Sequence, residues 1–220
     1  MPLNATRLKA LYTYVACFFC CCRFDEWCEC VVIFVKVFDG KGKTYDFRKE
    51  LREAGFSFSS FPEPHWSSEV PKEDFNILKK WCFKKKLRVV CSMNERSADY
   101  RRMFFESGRT KAFKNKYFCA YCGKVLSEDK VCVDHLISVK KTQTVLFYFN
   151  LIDKLGFDSV NDVRNLVPAC RRCNARKGAK GRLWVLRGLI GQFPVFWAVF
   201  RGVEIILAFC FFVLLLYFSF

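Results

Sequence analysis

The sequence is short of acidic residues and of histidine. Its 220 residues include 37 lysines and arginines but only 21 aspartates and glutamates, which gives a formal net charge of +16. Such an excess creates a positive field that attracts polyanions, either nucleic acid or an anionic lipid surface, and charge alone does not choose between them. The only histidines are His65 and His135. A site that needs an imidazole must therefore use one of these two.

A clear export signal is also missing, although the N-terminus faintly resembles a lipoprotein signal ending at Cys17. The 14 unevenly clustered cysteines therefore predict a reducing compartment with metal-bound and free thiols, and a disulfide framework is the less favoured alternative. The length excludes several large domains. The 52% apolar content excludes a disordered polyelectrolyte, and 26 phenylalanines indicate a large core or membrane contact.

The first part of the chain is predicted to hold an apolar segment and a β-hairpin in residues 1–56. The hairpin consists of strands over residues 31–38 and 43–47, separated by Asp39-Gly40. Residues 57–71 are rich in Pro, Ser and Phe and predict a connector, in which His65 is a plain loop residue. Six N-terminal cysteines lack regular pairing, which favours small apolar fillers over a second metal site; they are Cys17, Cys20, Cys21, Cys22, Cys28 and Cys30.

Residues 72–116 predict a basic helical region. One helix follows Pro71 and presents Phe75, Leu78, Trp81 and Cys82 on one face. A second helix is predicted from a capping box at Ser92 to a stop at Gly108. Lysines and arginines with interleaved aromatics dominate from Ile77 to Lys116, against only three acids. They indicate either a phosphate-binding stripe or a solvated basic face.

Two pairs of cysteines further along have the spacing of zinc ligands. Both Cys119-Ala-Tyr-Cys122-Gly and Cys170-Arg-Arg-Cys173 are Cys-x-x-Cys knuckles, which let two adjacent thiolates bind one tetrahedral Zn²⁺. Two such pairs complete a four-thiolate site, and ordinary buried thiols are the alternative. A site closed by four thiolates has no open position. The zinc is therefore expected to stabilise the fold, and catalysis must come from other residues.

Polar residues stand between and after these knuckles. An alternating strand ends in Asp134 and His135, and the second knuckle lies between Asn165 and Asn174. The series Cys-x-x-Cys-Gly, Asp-His and Asn-Leu-x-Pro-x-Cys-x-x-Cys-Asn-x-x-Lys resembles the His-Asn-His (HNH) endonucleases of the ββα-metal type, in their zinc-stapled subclass. The resemblance covers Tyr117 to Gly178 and implies a nuclease module over residues 117–181. It also implies hydrolysis of DNA that leaves a 5′-phosphate and a 3′-hydroxyl.

Each component of phosphodiester hydrolysis has a candidate residue. His135 can act as the general base, and Asp134 and Asn174 offer oxygen ligands suited to Mg²⁺ or Mn²⁺. The resemblance implies that Asn174 completes the cation site and that Asn165 orients the loop carrying the base. A buried histidine beside an incidental acid is the alternative. Four side chains are predicted to clamp phosphates: Arg171, Arg172, Arg176 and Lys177.

Two apolar segments complete the prediction. Val145 to Leu155 predicts an inserted helix that packs beside the nuclease module. Residues 182–220 form an apolar C-terminal segment, which is uncharged from Ile205 onward and is either a membrane anchor or a core element. Its basic flank places the nuclease on the cytoplasmic side if the segment is an anchor; the flanking residues are Arg182, Arg187 and Arg201.

The sequence as a whole predicts an α+β protein. A small ββα-metal module with zinc knuckles follows a hairpin and basic helices and precedes an apolar C-terminal segment. The predicted function is that of a metal-dependent endonuclease acting on DNA, with structural Zn²⁺ and catalytic Mg²⁺ or Mn²⁺. The alternative is a zinc-stapled protein that binds nucleic acid without cleaving it. A membrane-associated interaction protein is a third hypothesis, which depends only on the apolar ends.

Overall fold

The computed structural model describes residues 32–219, which divide into two compact units. The N-terminal unit contains the described residues up to Glu95 together with Thr142–Leu155. The C-terminal unit contains Arg96–Lys141 and the chain from Gly156 onward. The N-terminal cysteine cluster and the weak export signal lie outside the described residues.

Helices and strands are mixed along both units, which confirms the predicted α+β class. The strands are β1 (Val32–Phe38), β2 (Ser57–Ser59), β3 (His65–Pro71), β4 (Arg88–Cys91), β5 (Lys116–Phe118), β6 (Val125–Ser127), β7 (Cys132–His135) and β8 (Leu166–Ala169). The α-helices are α1 (Arg48–Glu53), α2 (Lys72–Lys84), α3 (Tyr100–Ser107), α4 (Val139–Thr144), α5 (Leu146–Lys154), α6 (Arg171–Lys177), α7 (Leu183–Gly191) and α8 (Pro194–Ser219).

The N-terminal unit is built on an antiparallel sheet with the strand order β2-β3-β1-β4. The apolar strand β1 lies inside this sheet, with Val35 opposite Ser68 of β3 on one side and Cys91 of β4 on the other. Val35 and Val37 are fully buried. A β-branched strand with a partner on both edges is expected to form the centre of such a core.

The predicted hairpin over residues 31–47 is wrong beyond its first strand. Thr44–Phe47 forms a 3-10 turn that leads into α1. The carboxylate of Asp39 accepts hydrogen bonds from the backbone N and the Oγ1 of Thr44, both at 2.8 Å. Aspartate side chains often bind nearby backbone N–H groups in this way, and such bonds stabilise a turn. The edges of β1 are taken by β3 and β4, so a second hairpin strand has no place to pair.

The predicted connector over residues 57–71 is also wrong, because it contains β2 and β3. Serine-rich composition concealed the alternation that matters: Trp66 and Val70 point into the core while residues between them are more exposed. His65 is a buried strand residue and not a loop residue. Its ring stacks on Phe38 at a centroid distance of 5.1 Å, and its Nδ1 lies 2.8 Å from the carbonyl oxygen of Glu63. These contacts are those of a histidine that is part of the packing of the N-terminal unit.

Helix α2 confirms the predicted apolar face, since all four predicted residues are buried. Lys79 is an exception to the predicted basic stripe because it is buried too, with its Nζ 4.2 Å from the ring centroid of Phe149. Burial lowers the pKa of the Lys79 ammonium. An ammonium over an aromatic ring is stabilised by the ring quadrupole, which makes Lys79 part of the core.

Helix α3 begins at Tyr100, eight residues after the predicted capping box at Ser92. In place of a helix cap, the side chain of Asn94 binds the backbone of β4. Its Oδ1 accepts a hydrogen bond from the backbone N of Cys91 at 2.8 Å, and its Nδ2 donates to the carbonyl oxygen of Val89 at 2.9 Å. These bonds turn the chain directly after β4, before a helix can start. The predicted end is confirmed, because Gly108 adopts a left-handed φ of 59°.

The inserted helix exists as α5. It belongs to the N-terminal unit, where Phe149 is buried in the core and its ring lies 5.8 Å from that of Phe75. The insertion therefore completes the core of the N-terminal unit.

Candidate metal centre and catalytic site

The first cysteine knuckle is the turn between β5 and β6, which pair antiparallel. The backbone N of Gly123 donates to the carbonyl oxygen of Cys119 at 2.8 Å, and Gly123 has a φ of 67°. Glycine adopts this left-handed conformation without the steric cost of a Cβ atom. The turn holds Cys119 and Cys122 on one side of the hairpin end, as the spacing predicted.

The second knuckle is the start of α6. Cys170 caps this helix, with its Sγ accepting from the backbone N of Cys173 at 3.4 Å. The backbone N of Cys170 in turn donates to the Sγ of Cys119 at 3.3 Å. All four Sγ atoms lie within 4.8 Å of one another. Tetrahedral zinc with Zn–S bonds of about 2.3 Å needs sulfur separations of about 3.8 Å, so the cluster can hold this ion.

The acidities of the four thiols differ because their surroundings differ. Burial raises the pKa of the Cys119 thiol to about 11 and also raises the pKa of Cys173. Cys170 is the exception, since hydrogen bonds from Cys173 and from neighbouring thiols outweigh burial and lower its pKa. Four crowded thiols cannot all ionise alone, whereas a bound zinc ion deprotonates its cysteine ligands.

The strands β7 and β8 pair antiparallel, with Asp134 opposite Val167 and His135 opposite Leu166. In the chain, α4 and α5 lie between β7 and β8, and α6 follows β8 directly. Both predicted acid and base are therefore carried at the end of β7, next to the strand that leads into the second knuckle.

Asn165 holds the loop that follows His135. Its Oδ1 accepts from the backbone N of Ile137 at 2.9 Å, and its Nδ2 donates to the carbonyl oxygen of Val160 at 2.6 Å. The residue is fully buried. Buried backbone groups need such partners, so Asn165 fixes the path of the chain after β7. Its contacts suit the predicted supporting role.

Asp134 is engaged by two side chains at the same oxygen. The hydroxyl of Tyr121 donates to Oδ2 at 2.6 Å, and the Nζ of Lys177 lies 2.9 Å from it. The same Nζ also donates to the carbonyl oxygen of His135 at 2.6 Å. Burial and the neighbouring carboxylate of Asp134 raise the pKa of Tyr121, so its hydroxyl keeps its proton as a donor.

Lys177 therefore departs from its predicted position as a phosphate clamp. Its side chain is fully buried, whereas Arg171, Arg172 and Arg176 are exposed on α6. Asn174 lies half-buried on α6, three residues before Lys177. Lys177 is buried because the carboxylate of Asp134 offers its ammonium the partner that a buried charge needs.

His135 is buried with an exposed fraction of 6%. The ring of Tyr100 lies against it at a centroid distance of 5.0 Å, and its Nε2 is buried without a hydrogen-bond partner. Burial lowers the pKa of His135 to about 4, although a side-chain hydrogen bond to Asn161 and the charge of Asp134 act in the opposite direction. The imidazole is therefore neutral at pH 7.

Sequence reasoning missed Tyr100, Tyr121 and Asn161 as neighbours of the Asp-His pair. Tyr121 lies inside the first knuckle, so its position beside the metal cluster was visible, but its contact with Asp134 depends on how β5 and β7 are brought together. Tyr100 and Asn161 come from segments on either side of the pair and carry no motif.

The last helix, α8, is the long apolar segment predicted for the C-terminus. It is long and apolar enough to cross a membrane: an 18-residue window within Pro194–Phe218 has a mean hydropathy of 2.4, and no part of that window is buried. The alternative of a core element is therefore wrong for this helix. Only its base is packed: the Nε1 of Trp197 donates to the carbonyl oxygen of Gly191 at 2.8 Å.

Comparison with known proteins adds no assignment to this geometry. The chain matches no family model, no curated protein and no solved structure. The resemblance to HNH endonucleases consequently depends on the motif residues alone.

Proposed function

We propose that the C-terminal unit is an endonuclease that hydrolyses phosphodiester bonds of DNA and that belongs with the zinc-stapled HNH type. One observation carries the proposal: Asp134 and His135 end one strand, Asn165 directly precedes the strand paired with it, and α6 begins within a group of four thiols that can hold zinc. Four cysteines spaced as two knuckles with an acid, a base and two asparagines around them form a combination that ordinary core packing does not require.

The residues divide the chemistry among them. Zinc held by Cys119, Cys122, Cys170 and Cys173 would have no open coordination position, so it would stabilise the arrangement and would take no part in the reaction. His135 would be the base that accepts a proton from the attacking water at Nε2, which is buried and must first become accessible, and Asn165 positions the loop that follows it. The exposed guanidinium groups of α6 bind the phosphates on either side of the scissile bond.

A divalent cation is part of this proposal. Asp134 and Asn174 would hold Mg²⁺ or Mn²⁺, because their oxygen donors suit hard cations, and a cation there supplies charge neutralisation for the phosphate. The fit is incomplete, since the Nζ of Lys177 lies 2.9 Å from the Oδ2 of Asp134. Lys177 must move, or the cation must use the other oxygen of Asp134.

A second function is favoured by the same contacts. If Lys177 keeps Asp134 neutralised and Tyr100 keeps His135 covered, the unit binds nucleic acid through the exposed arginines of α6 without cleaving it. This alternative shares the zinc site and the basic surface with the nuclease and differs only in the Asp-His pair.

The deciding experiment is a nicking assay on supercoiled plasmid with the full zinc-loaded chain. Wild-type protein with Mg²⁺ or Mn²⁺ is expected to nick the plasmid, and His135→Ala is expected to lower the rate by about 10²–10⁴-fold. His65→Ala is the matched control, since it removes the other histidine from the N-terminal unit. Wild-type protein that retards the plasmid without nicking it would establish the binding function instead.

We further propose that the protein is membrane-associated and that its C-terminal unit lies on the cytoplasmic side. Helix α8 is the anchor, and the arginines at its N-terminal flank favour retention on that side.

A further inference from the structure

Helix α7 presents an unusual apolar stripe to the outside of the C-terminal unit. Leu183, Leu186 and Ile190 are 78%, 54% and 45% exposed. Their spacing of three and four residues puts them on one face of the helix. Phe193, directly after the helix, is also exposed at 54%. A surface helix normally turns charged or polar residues to water, so this face is built for contact with something apolar.

The opposite face of α7 is packed against the candidate site. A Cβ atom on Gly188 would lie 2.3 Å from the Cδ2 of Leu136, which follows His135 in the chain. A Cβ atom on Gly191 would lie 2.0 Å from the carbonyl oxygen of Ala120, inside the first knuckle. Both glycines allow a backbone approach that any side chain would block. Whatever binds the outer face of α7 is thus one helix away from the metal centre.

The base of the anchor helix packs on the first knuckle. At the base of α8, Trp197 packs so closely on Gly123 that a Cβ atom there would meet the indole at 2.2 Å. The 26 residues of α8 extend about 39 Å, which exceeds the hydrocarbon core of a bilayer at about 30 Å. Arg201 and Glu204 pair at 2.8 Å, so the charges near its start neutralise each other.

The charges around the stripe fit a lipid surface with anionic headgroups. Arg187 is exposed on α7 between Leu186 and Ile190, and Lys180 and Arg182 are exposed just before the helix. Basic residues beside an outward apolar face are typical of helices that lie in the membrane interface. Binding of a protein to α7 does not explain why a candidate membrane span, α8, follows it in the chain. A bilayer that holds α8 would also lie close to α7.

We propose that α7 is a second membrane contact, which lies in the headgroup region with its stripe of Leu183, Leu186 and Ile190 turned toward the acyl chains. This inference rests on the proposed anchor α8. Because α7 is packed on the first knuckle and on the loop after His135, the candidate site is held at the membrane surface in a fixed orientation. The nucleic acid that the unit binds is then engaged beside a membrane.

The test uses the full chain with zinc, reconstituted in vesicles of phosphatidylcholine and phosphatidylglycerol. The photoreactive residue p-benzoylphenylalanine replaces Leu186 or Ile190 on α7, Ile206 on α8, or Val125 on β6. Val125 is the matched control, because it is exposed to a similar extent in the same unit. Illumination is followed by mass spectrometry of lipid adducts and by gel analysis of protein adducts.

Lipid adducts are expected at Leu186, Ile190 and Ile206, several-fold above the yield at Val125. Adducts at Ile206 but not on α7 would overturn this inference and leave the anchor intact. Absence of lipid adducts at all of these positions would overturn both, and chain-to-chain adducts at Leu186 would identify the stripe as a self-association surface. None of these results depends on DNA cleavage, so a failed nicking assay is distinguishable from a failed membrane contact.

Discussion

Replacing Lys177 by methionine tests whether a buried ion pair holds α6 against β7. Met keeps the apolar stem of lysine and removes the ammonium, which lies 2.9 Å from the Oδ2 of Asp134 and 2.6 Å from the carbonyl oxygen of His135. Removing one partner of a buried pair costs about 3–5 kcal/mol, because the other charge stays buried without compensation. Asp134 is 12% exposed and keeps its bond from Tyr121, so we expect a loss of about 3 kcal/mol, the lower end of that range.

The measurement is thermal unfolding of the zinc-loaded full chain at neutral pH, followed by circular dichroism. A loss of about 3 kcal/mol lowers Tm by about 6–12 °C in a chain of this size. Lys180→Met is the control, since Lys180 is exposed and its replacement should change stability by less than about 0.5 kcal/mol. The double variant Lys177→Met with Asp134→Asn should recover part of the loss, because no charge is then left unpaired. Equal Tm values for Lys177→Met and Lys180→Met would refute the reasoning.

Two further predictions concern the zinc and the loop before β8. Elemental analysis should find one zinc per chain in the wild type but little zinc in Cys173→Ser. Cys210→Ser is the control, because it changes an exposed thiol and should keep its zinc. Full zinc content in Cys173→Ser would contradict the four-thiolate site. Asp162→Asn should lower stability by about 1–3 kcal/mol at neutral pH, because Asp162 accepts from the backbone N and the side chain of Arg164. Although burial acts to raise the pKa of Asp162, these bonds lower it overall, so the stabilisation is present above the unfolded-state value of about 3.9 and is lost as pH falls through the folded-state pKa. Urea unfolding of both proteins from pH 7 to pH 2 should therefore show a difference that shrinks below about pH 4, and a difference that grows with acid would contradict this sign.

Features set by nearest neighbours along the chain were predictable from the sequence. The two Cys-x-x-Cys pairs, the strand ending in Asp134 and His135, the buried face of α2 and the helix α5 were all predicted. Each depends on spacing within a few residues, which covalent geometry converts directly into a turn or into one face of a helix or strand. The composition and length of the apolar C-terminal segment likewise indicated a helix, which is α8.

Features set by contacts between distant residues could not be predicted in this way. Strand β1 pairs with β3 and β4, which lie further along the chain, and not with Thr44–Phe47, which forms a 3-10 turn in which Asp39 binds Thr44 locally. Helix α5 follows β7 in the chain but fills the core of the N-terminal unit. The spacing of apolar residues predicted that these helices and strands exist. It did not predict which elements they contact, because strand pairing and core filling depend on the whole fold.

The candidate site shows the same division. The sequence by itself determined which donors are available: four thiols, one carboxylate, one imidazole and two asparagine amides, in an order that resembles one nuclease family. Only the tertiary structure decided how these donors are partnered, with Lys177 turned inward onto Asp134 and His135 covered by Tyr100. The physical reason is that burial and ion pairing depend on what surrounds a side chain, and that environment is created when β5, β7 and α6 come together.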